Sequence, residues 1–393
     1  MKKNLLYLTG IALLISSLSI FFATGCQREL KDPSGNGNPN PPTNSGNTVN
    51  DNITVVGSVL GSVVDENNRP VTGATVTSGN KTTTTDRYGA FRFNSINLSK
   101  ANGYIKVTKP GYFMGTRTFI SVAGTTHTIR IKLIPKTNSG NFQGSTGGTI
   151  NLTGGGKLVM PANAITDASG NAYTGLVNVS MTWIDPSSAD LPNIVPGDLR
   201  GVTTSGEERG LQTFGMLGVE LTGNSGQALK VAAGKTAELT FPILSSLQGN
   251  APASIDLWHF DEATGRWKQE GTAVKTGNNY IAQVSHFSFW NCDAQFPLID
   301  LCMTIVNSDN APLNNVQVRI KRPNGSYGYG RTDSLGNLCG KVPKDEALVL
   351  EILGQCGNIV ASQNIGPFSA TTSLGTITVN IPASNSLIII SSD

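Results

Sequence analysis

Short runs of strand-forming residues separated by turn residues recur along the chain, and they constrain its fold more than any other feature. The run TVVGSVLGSVV, for example, is followed at once by the turn residues DENN. β-Branched residues favour strands, whereas Asp, Asn and Gly favour the turns between them. Only 14% of the residues are charged, and 45 are glycine. The 393 residues exceed what one hydrophobic core organises, so we predict an all-β protein with three consecutive β-sandwich domains.

Residues 1–25 have the features of an export signal peptide. Lys2 and Lys3 precede an apolar run from Leu5 to Phe22, and small residues follow that run. A positive start, an apolar middle and a small-residue end are typical of a segment that directs export. An uncleaved anchor helix is the alternative, because the apolar run approaches the ~20 residues that span a bilayer.

The cysteine that ends this segment points to a lipid anchor. Cys26 directly follows Thr24-Gly25, and this junction resembles the lipobox of bacterial lipoproteins. In that family the signal is cut just before the cysteine, which then carries several acyl chains. The resemblance implies that Cys26 is lipidated, and several chains on one residue hold a protein firmly at a bilayer.

Residues 26–52 are rich in Asn, Pro, Gly and Ser, so they predict a flexible linker after the lipidated cysteine. Glu29, Lys31 and Asp32 loosely resemble the charged signal that sends some lipoproteins to the outer membrane. We therefore expect an outer-membrane lipoprotein that is exposed at the cell surface or faces the periplasm.

Residues 53–136 predict a small β-sandwich with seven strands. The segments DENNRPVTGATV, TDRYGAFRF and KPGYF resemble the carboxypeptidase regulatory-like family, also called transthyretin-like. In that family the domain is a passive β-sandwich attached to other modules and has no catalytic residues. The resemblance implies the same passive role for residues 53–136.

A second copy of this pattern occupies residues 293–393. The turn and proline at Asp65 to Val71 return at Asn307 to Leu313, and the TDRYG turn returns as TDSLG. This spacing indicates an internal repeat at the scale of a domain, with an unlike domain inserted between the copies.

The second copy also has a longer hairpin, which carries Tyr327 and Tyr329 near its tip. Tyrosines at a loop tip can stack on a sugar or a protein partner, so both are candidate ligand contacts. The alternative is that both rings pack on their own hairpin.

Residues 140–292 carry several separate motifs, which include LWHFDEATGRWKQEGTAV and SHFSFWNCD. Together they resemble the domain of cartilage intermediate layer protein and its relatives in netrin receptors and ankyrins. That resemblance implies an elongated β-sandwich used for surface and scaffold interactions. Trp258, Phe260 and Trp267 flank one turn at a spacing that suits a cross-strand aromatic pair in the core.

The segment His286-Phe287-Ser288 is the one reactive-looking motif. In some relatives of this domain a His-Phe-Ser run is cut by the protein itself between Phe and Ser. In an extended strand His286 would project on the same side as Ser288, where it could take the hydroxyl proton while the hydroxyl attacks the Phe287 carbonyl. The alternative is a closing strand with Phe287 in the core.

Other chemistry finds little support in the sequence. The three histidines are His127, His259 and His286, and none is paired at helical or zinc-finger spacing, so we predict no metal site. We find no catalytic constellation and predict no cofactor. The formal net charge is +3, and no basic stripe indicates a nucleic-acid partner.

Four cysteines lie between residues 292 and 356, and in an exported protein they are disulfide candidates. They are Cys292, Cys302, Cys339 and Cys356. Four cysteines permit three pairings. A bridge from Cys292 to Cys302 would clip the domain junction, and Cys339 and Cys356 lie on successive strands of the repeat. Pairing of Cys302 with Cys339 or with Cys356 is also feasible, so the pairing stays open. Metal binding by the four cysteines is the alternative, which the lack of a close two-residue spacing disfavours.

These observations predict a non-enzymatic lipoprotein of the cell envelope that acts as a binding or scaffolding module. Its expected partners are the membrane, through the lipid, and an extracellular protein or glycan. One alternative is the same scaffold with autoproteolysis between Phe287 and Ser288. Another is an accessory subunit that captures glycans or proteins.

Overall fold

A computed structural model of the protein describes residues 51–354 and 357–380. The predictions for the signal peptide, for Cys26 and most of the linker, and for Cys356 lie outside these residues. Within them the chain forms 26 strands and two short helical turns. The all-β prediction is therefore confirmed. No helix in this described part combines the length and the apolarity needed to cross a membrane.

The first module, residues 54–135, is a sandwich of two sheets. Its strands are β1 (Thr54–Val64), β2 (Thr75–Ser78), β3 (Lys81–Thr84), β4 (Ala90–Ser99), β5 (Gly103–Thr108), β6 (Gly115–Phe119) and β7 (Thr126–Lys132). One sheet has the order β4-β1-β7 and the other β3-β2-β5-β6. Alternate residues such as Val59 on β1 and Ile105 on β5 are completely buried between the sheets, as the period-2 pattern of the strands requires.

The middle module, residues 138–296, is larger. One hydrophobic cluster lies within it, and a second cluster also includes Phe113 of the first module. Its elements are β8 (Asn138–Gln143), β9 (Gly148–Asn151), β10 (Lys157–Met160), β11 (Ile165–Asp167), β12 (Leu176–Ile184), α1 (Leu191–Ile194), β13 (Arg200–Val202), β14 (Glu208–Gly223), β15 (Ala228–Val231), β16 (Ala237–Pro242), a 3-10 turn (Gln248–Asn250), β17 (Ser254–Asp261), β18 (Arg266–Thr276), β19 (Asn279–Val284) and the first half of β20 (Phe289–Val306). Phe260 and Trp267 face each other directly across β17 and β18 and are buried. The predicted aromatic pair is thus confirmed as part of the core.

The last module, residues 298–379, repeats the topology of the first. It uses the second half of β20 with β21 (Gln317–Lys321), β22 (Tyr327–Arg331), β23 (Asn337–Pro343), β24 (Leu348–Leu353), β25 (Ile359–Ile365) and β26 (Thr372–Thr378). Its sheets have the orders β23-β20-β26 and β22-β21-β24-β25. If β20 is matched to β1 and the later strands follow in chain order, both sheet orders are those of the first module.

Equivalent tight turns in the first and last modules have the same backbone conformation. Gly89 and Gly336 both have positive φ values, 71° and 76°. A Cβ on Gly89 would lie 2.4 Å from the Val63 carbonyl oxygen, and one on Gly336 would lie 2.4 Å from the Ile305 carbonyl oxygen. Both turns therefore need glycine for its conformation and for its lack of a side chain.

The strand β20 connects the middle and last modules without a linker. Its first half pairs with β14 and β17, and its second half pairs with β23 and β26. A single strand of 18 residues shared by both sheets leaves no flexible segment at this junction.

The first module is joined to the middle module by buried hydrogen bonds. The Thr118 hydroxyl donates to the Gly265 carbonyl at 2.8 Å, and the Gly197 amide donates to the Thr116 hydroxyl at 2.8 Å. A Cβ on Gly265 would lie 2.4 Å from the Tyr104 ring. The two surfaces are therefore closely fitted at Gly265.

The structure contains a disulfide between Cys302 and Cys339, which face each other on β20 and β23. Cys292 is a buried free thiol, so its prediction as a disulfide partner is wrong. Cys292 lies ten residues before Cys302 on the same extended strand, which separates the two by about 33 Å. Burial also raises the pKa of the Cys292 thiol, which makes it unreactive.

Candidate functional site

The predicted reactive segment lies in a bend and not in an extended strand. β19 ends at Val284, β20 begins at Phe289, and residues 285–288 turn the chain between them. The expectation that His286 and Ser288 share one side of a strand is therefore wrong. The bend carries His286 towards the hairpin formed by β17 and β18.

His286 meets two residues that are distant in sequence. Its Nε2 lies 3.2 Å from Oε2 of Glu270, and Nδ1 of His259 lies 2.8 Å from the same oxygen. The two imidazole rings are 4.8 Å apart between centroids and almost perpendicular. We call His259, Glu270 and His286 the histidine cluster.

Strand pairing brings these residues together. His259 on β17 faces Lys268 on β18. Glu270 follows Lys268 by two residues, so the two side chains share a face of the sheet. On its other side His259 faces Trp290 of β20. Sequence spacing contains no trace of this arrangement, so the sequence does not predict that these three residues lie together.

Trp290 and Ser285 hold the cluster in position. The Trp290 indole Nε1 donates a 3.0 Å hydrogen bond to the His286 carbonyl, and its ring lies 4.8 Å from the His286 ring. The Ser285 hydroxyl donates to Oε1 of Glu270 at 3.4 Å. The backbone of the bend and the carboxylate thus each have a neighbour that orients them.

The electrostatics of the cluster favour a neutral His259 beside an ionised Glu270. Burial lowers the pKa of His259, and the nearby His286 lowers it further. Burial acts to raise the pKa of Glu270, but the hydrogen bond to His286 and the charge of His286 outweigh it, so this pKa lies below its usual value. Near neutral pH the cluster offers an imidazole lone pair and a carboxylate on one surface.

Ser288 points away from the bond that autoproteolysis would cut. Its hydroxyl donates to the Phe289 carbonyl at 3.1 Å, and its own carbonyl accepts from the Val219 amide at 3.2 Å. Phe287 is partly buried against the middle core. The contacts of His286 are with Glu270 and Trp290, so the dyad that the reaction needs is not assembled in this geometry.

Tyr327 and Tyr329 lie at the surface, with 46% and 49% of their area exposed. Both are on β22, the outer strand of its sheet, and their rings are 5.1 Å apart at an angle of 67°. The Arg319 guanidinium lies 5.6 Å from the centre of the Tyr327 ring. We call these three residues the tyrosine patch.

Asp293 is a buried carboxyl that sequence reasoning did not single out. Its Oδ2 accepts a 2.6 Å hydrogen bond from the Asn291 amide, while its Oδ1 has no hydrogen-bond partner among the described residues. Burial raises the pKa of Asp293 well above the usual range. A shallow cleft that is also lined by Asp256 and Gln295 lies beside it.

Comparison with known protein families identifies the type of domain that the first module forms. Residues 58–134 match the family model described as Carboxypeptidase regulatory-like domain. The chain contains a carboxypeptidase regulatory-like domain. This regulatory-like domain coincides with the seven strands of the first module, so the resemblance seen in the sequence is confirmed for that copy.

The chain is also similar to cartilage intermediate layer proteins. It is 32% identical over 124 residues to cartilage intermediate layer protein 2 of Homo sapiens, a match that covers 32% of this chain and 11% of that protein. It is 29% identical over 120 residues to cartilage intermediate layer protein 1 of Sus scrofa, covering 30% of this chain and 19% of that protein. The chain therefore spans less than a fifth of the length of either relative.

Solved structures give only weak matches. The Bacillus anthracis TIE protein matches with a TM-score of 0.19 and 12% identity, over 83% of this chain and 51% of that one. The major pilin subunit BcpA of Bacillus cereus matches with a TM-score of 0.18 and 13% identity, over 83% of this chain and 99% of that one. Scores this low support no conclusion about this chain.

Proposed function

We propose that the protein is a non-catalytic binding protein of the cell envelope, attached to the outer membrane through a lipid on Cys26. The regulatory-like domain and the similarity to cartilage intermediate layer proteins support a binding or surface role. The tyrosine patch is the observation that carries the proposal, because two exposed tyrosine rings that lie side by side form a surface on which a partner can be held.

The composition of the patch favours a protein partner. Tyrosine and arginine are enriched at the centres of protein interfaces. Rings inclined at 67° do not form the single flat platform on which a sugar would stack. In addition, β22 is an outer strand, so its free edge can accept a strand from a partner.

The junctions between modules support a scaffolding role. The shared strand β20 and the hydrogen bonds at Gly265 and Gly197 fix the modules to one another. A patch on the last module is then held in a constant position, and fewer motions are lost when a partner binds.

Binding of envelope proteins to immobilised protein, together with a glycan array, tests the proposal. Tyr327→Ala with Tyr329→Ala removes the patch. Tyr88→Ala is the matched control, because Tyr88 is 64% exposed in the turn that precedes β4. We expect one protein to be retained by the parent and by Tyr88→Ala and lost by the double variant. Retention by all three, or binding only to glycans, would refute a protein-binding patch.

Cell fractionation tests the anchor. We expect the parent protein in the outer-membrane fraction, and a Cys26→Ser variant or globomycin-treated cells should accumulate unprocessed precursor. Unchanged processing and fractionation in both would exclude the lipid anchor without affecting the tyrosine patch.

A further inference from the structure

The histidine cluster contains an arrangement that hydrogen bonding alone does not explain. Both His259 and His286 direct a ring nitrogen at the same oxygen of Glu270. The His259 Nδ1 is buried and makes no aligned hydrogen bond among the described residues, although the oxygen is only 2.8 Å away. A buried polar atom without a hydrogen bond destabilises the fold, so this nitrogen favours an additional ligand.

We propose that His259, Glu270 and His286 bind a divalent transition metal ion, with Zn²⁺ as the best fit. Their ligand atoms all lie within 4.8 Å of one another. In a tetrahedral zinc site with bonds of about 2.0–2.2 Å, neighbouring ligand atoms are roughly 3.3 Å apart. The observed separations of 2.8 and 3.2 Å to Glu270 are close to that value.

The chemistry of the three side chains matches the metal. Two imidazoles and one carboxylate are a common ligand set of zinc sites that keep a position open for water or another ligand. Hard ions such as Mg²⁺ and Ca²⁺ prefer oxygen ligands alone, so two nitrogens disfavour them. The side chains of Glu270 and His286 are 42% and 41% exposed, which leaves the ion an entry path.

The surroundings of the cluster favour a cation. The nearby Lys268 ammonium is paired with the Asp261 carboxylate at 2.5 Å, so its charge is largely compensated. Trp290 fixes the bend that carries His286, and Ser285 orients Glu270. Neighbours of this kind, which orient ligands without binding the ion, are typical of metal sites.

A bound ion would link the bend at residues 285–288 to the hairpin of β17 and β18. This role is independent of the lipid anchor and of the tyrosine patch, which lies on another module. It also employs the imidazole nitrogen that autoproteolysis would need as a general base.

The test measures zinc on the full-length protein, purified in detergent and stripped with EDTA. After dialysis against Zn²⁺ we expect one bound ion per chain by elemental analysis, and Co²⁺ should give the intense visible spectrum of tetrahedral coordination. His259→Gln and His286→Gln should each weaken binding by about tenfold or more. His127→Gln removes the histidine outside the cluster and should bind as the parent does.

Thermal unfolding provides a second readout that also checks folding. Zn²⁺ should raise the Tm of the parent and of His127→Gln, because a ligand that binds only the folded state stabilises it. At the same zinc concentration it should raise the Tm of His286→Gln much less, because the side chain of this half-exposed residue supplies one of the ligands. Absence of bound zinc in the parent, or undiminished binding by both cluster variants, would overturn the proposal.

Discussion

At the scale of single residues, the most informative groups are buried and ionisable. Asp293 is completely buried, and this burial raises the pKa of its carboxyl well above the ordinary value, which favours the protonated form in the folded protein. Such a group contributes stability at pH values below its unfolded pKa of about 3.9, and that contribution is lost as the pH rises through its folded pKa.

Asp293→Asn should therefore stabilise the protein at pH 8 and lose this advantage at low pH. The amide imitates the protonated carboxyl and cannot ionise, so we expect a gain of about 1–3 kcal/mol at pH 8. Denaturant unfolding at several pH values measures it. Asp256→Asn, in the same cleft and not fully buried, is the control, and equal gains from both variants would contradict the assignment.

The contribution of His127 to the stability of the fold has the opposite pH dependence. Burial lowers its pKa to about 4, and its Nε2 accepts a hydrogen bond from the Val122 amide, which protonation would remove. Its contribution to stability is complete above pH 6.5 and is lost as the pH falls towards 4. Because the His127 ring is only partly buried, we expect the free energy of unfolding to fall by about 1–2 kcal/mol as the pH is lowered from 6.5 to 4.

His127→Gln should lose less stability than the parent between pH 7 and pH 4.5, since glutamine does not titrate there. Urea unfolding at the two pH values measures the difference. Identical losses in parent and variant would show that His127 is not responsible.

Some residue contacts could not be predicted from sequence because they depend on strand register. The sequence leaves several cysteine pairings open. The register of β20 with β23 decides between them, because it places Cys302 opposite Cys339. The histidine cluster depends in the same way on the pairing of β17 with β18 and β20. Register is fixed by packing across a whole sheet, and no local pattern near His259 or His286 records it.

At the scale of elements, the sequence predicts more because turns depend on local residues. The repeated turn residues indicate two similar modules, and the two modules have the same sheet orders. In both copies the hydroxyl of a buried threonine forms hydrogen bonds with two separate backbone segments. The Thr85 hydroxyl donates to the Val71 carbonyl and accepts from the Ala74 amide. Thr332 makes the same two contacts with Leu313 and Val316.

Thr332→Val should destabilise the last module by about 2–3 kcal/mol. The change preserves shape but leaves a carbonyl and an amide without their partner in a buried setting. Chemical denaturation measures the loss. Thr376→Val, at an exposed position of β26, is the control, and equal stability of the two variants would contradict this role.

The bend at residues 285–288 marks the limit of element prediction. An extended strand was expected there, both for the self-cleavage of the His286-Phe287-Ser288 segment and for its alternative, a closing strand. The Trp290 indole instead binds the His286 carbonyl and stabilises a turn. That contact joins a side chain to a backbone group four residues away and leaves no signal in strand periodicity.

At the scale of the whole molecule, the account depends on modules that are fixed to each other. Gly265 lies where Tyr104 of the first module contacts the middle module. Its φ of 71° already demands glycine, and the Tyr104 ring leaves no room for a Cβ.

Gly265→Ala should loosen this junction, so that the first module unfolds in a separate transition at lower temperature. Gly271→Ala is the matched control, because Gly271 has a φ of 83° but no atom within 4 Å of an added Cβ. The backbone penalty of about 1 kcal/mol is then common to both variants. Calorimetry should show the separate transition for Gly265→Ala alone. Identical unfolding traces for the two variants would mean that the junction contributes little to the stability of the first module.

The intact mass of the native protein from the envelope reports the lipid anchor, the disulfide and any cleavage of the backbone together. We expect one unbroken chain that begins at Cys26 and carries diacylglycerol and a further acyl group, with the Cys302–Cys339 disulfide formed. A chain that retains residues 1–25 without lipid would contradict the anchor. Two chains separated between Phe287 and Ser288 would contradict the geometry of the bend.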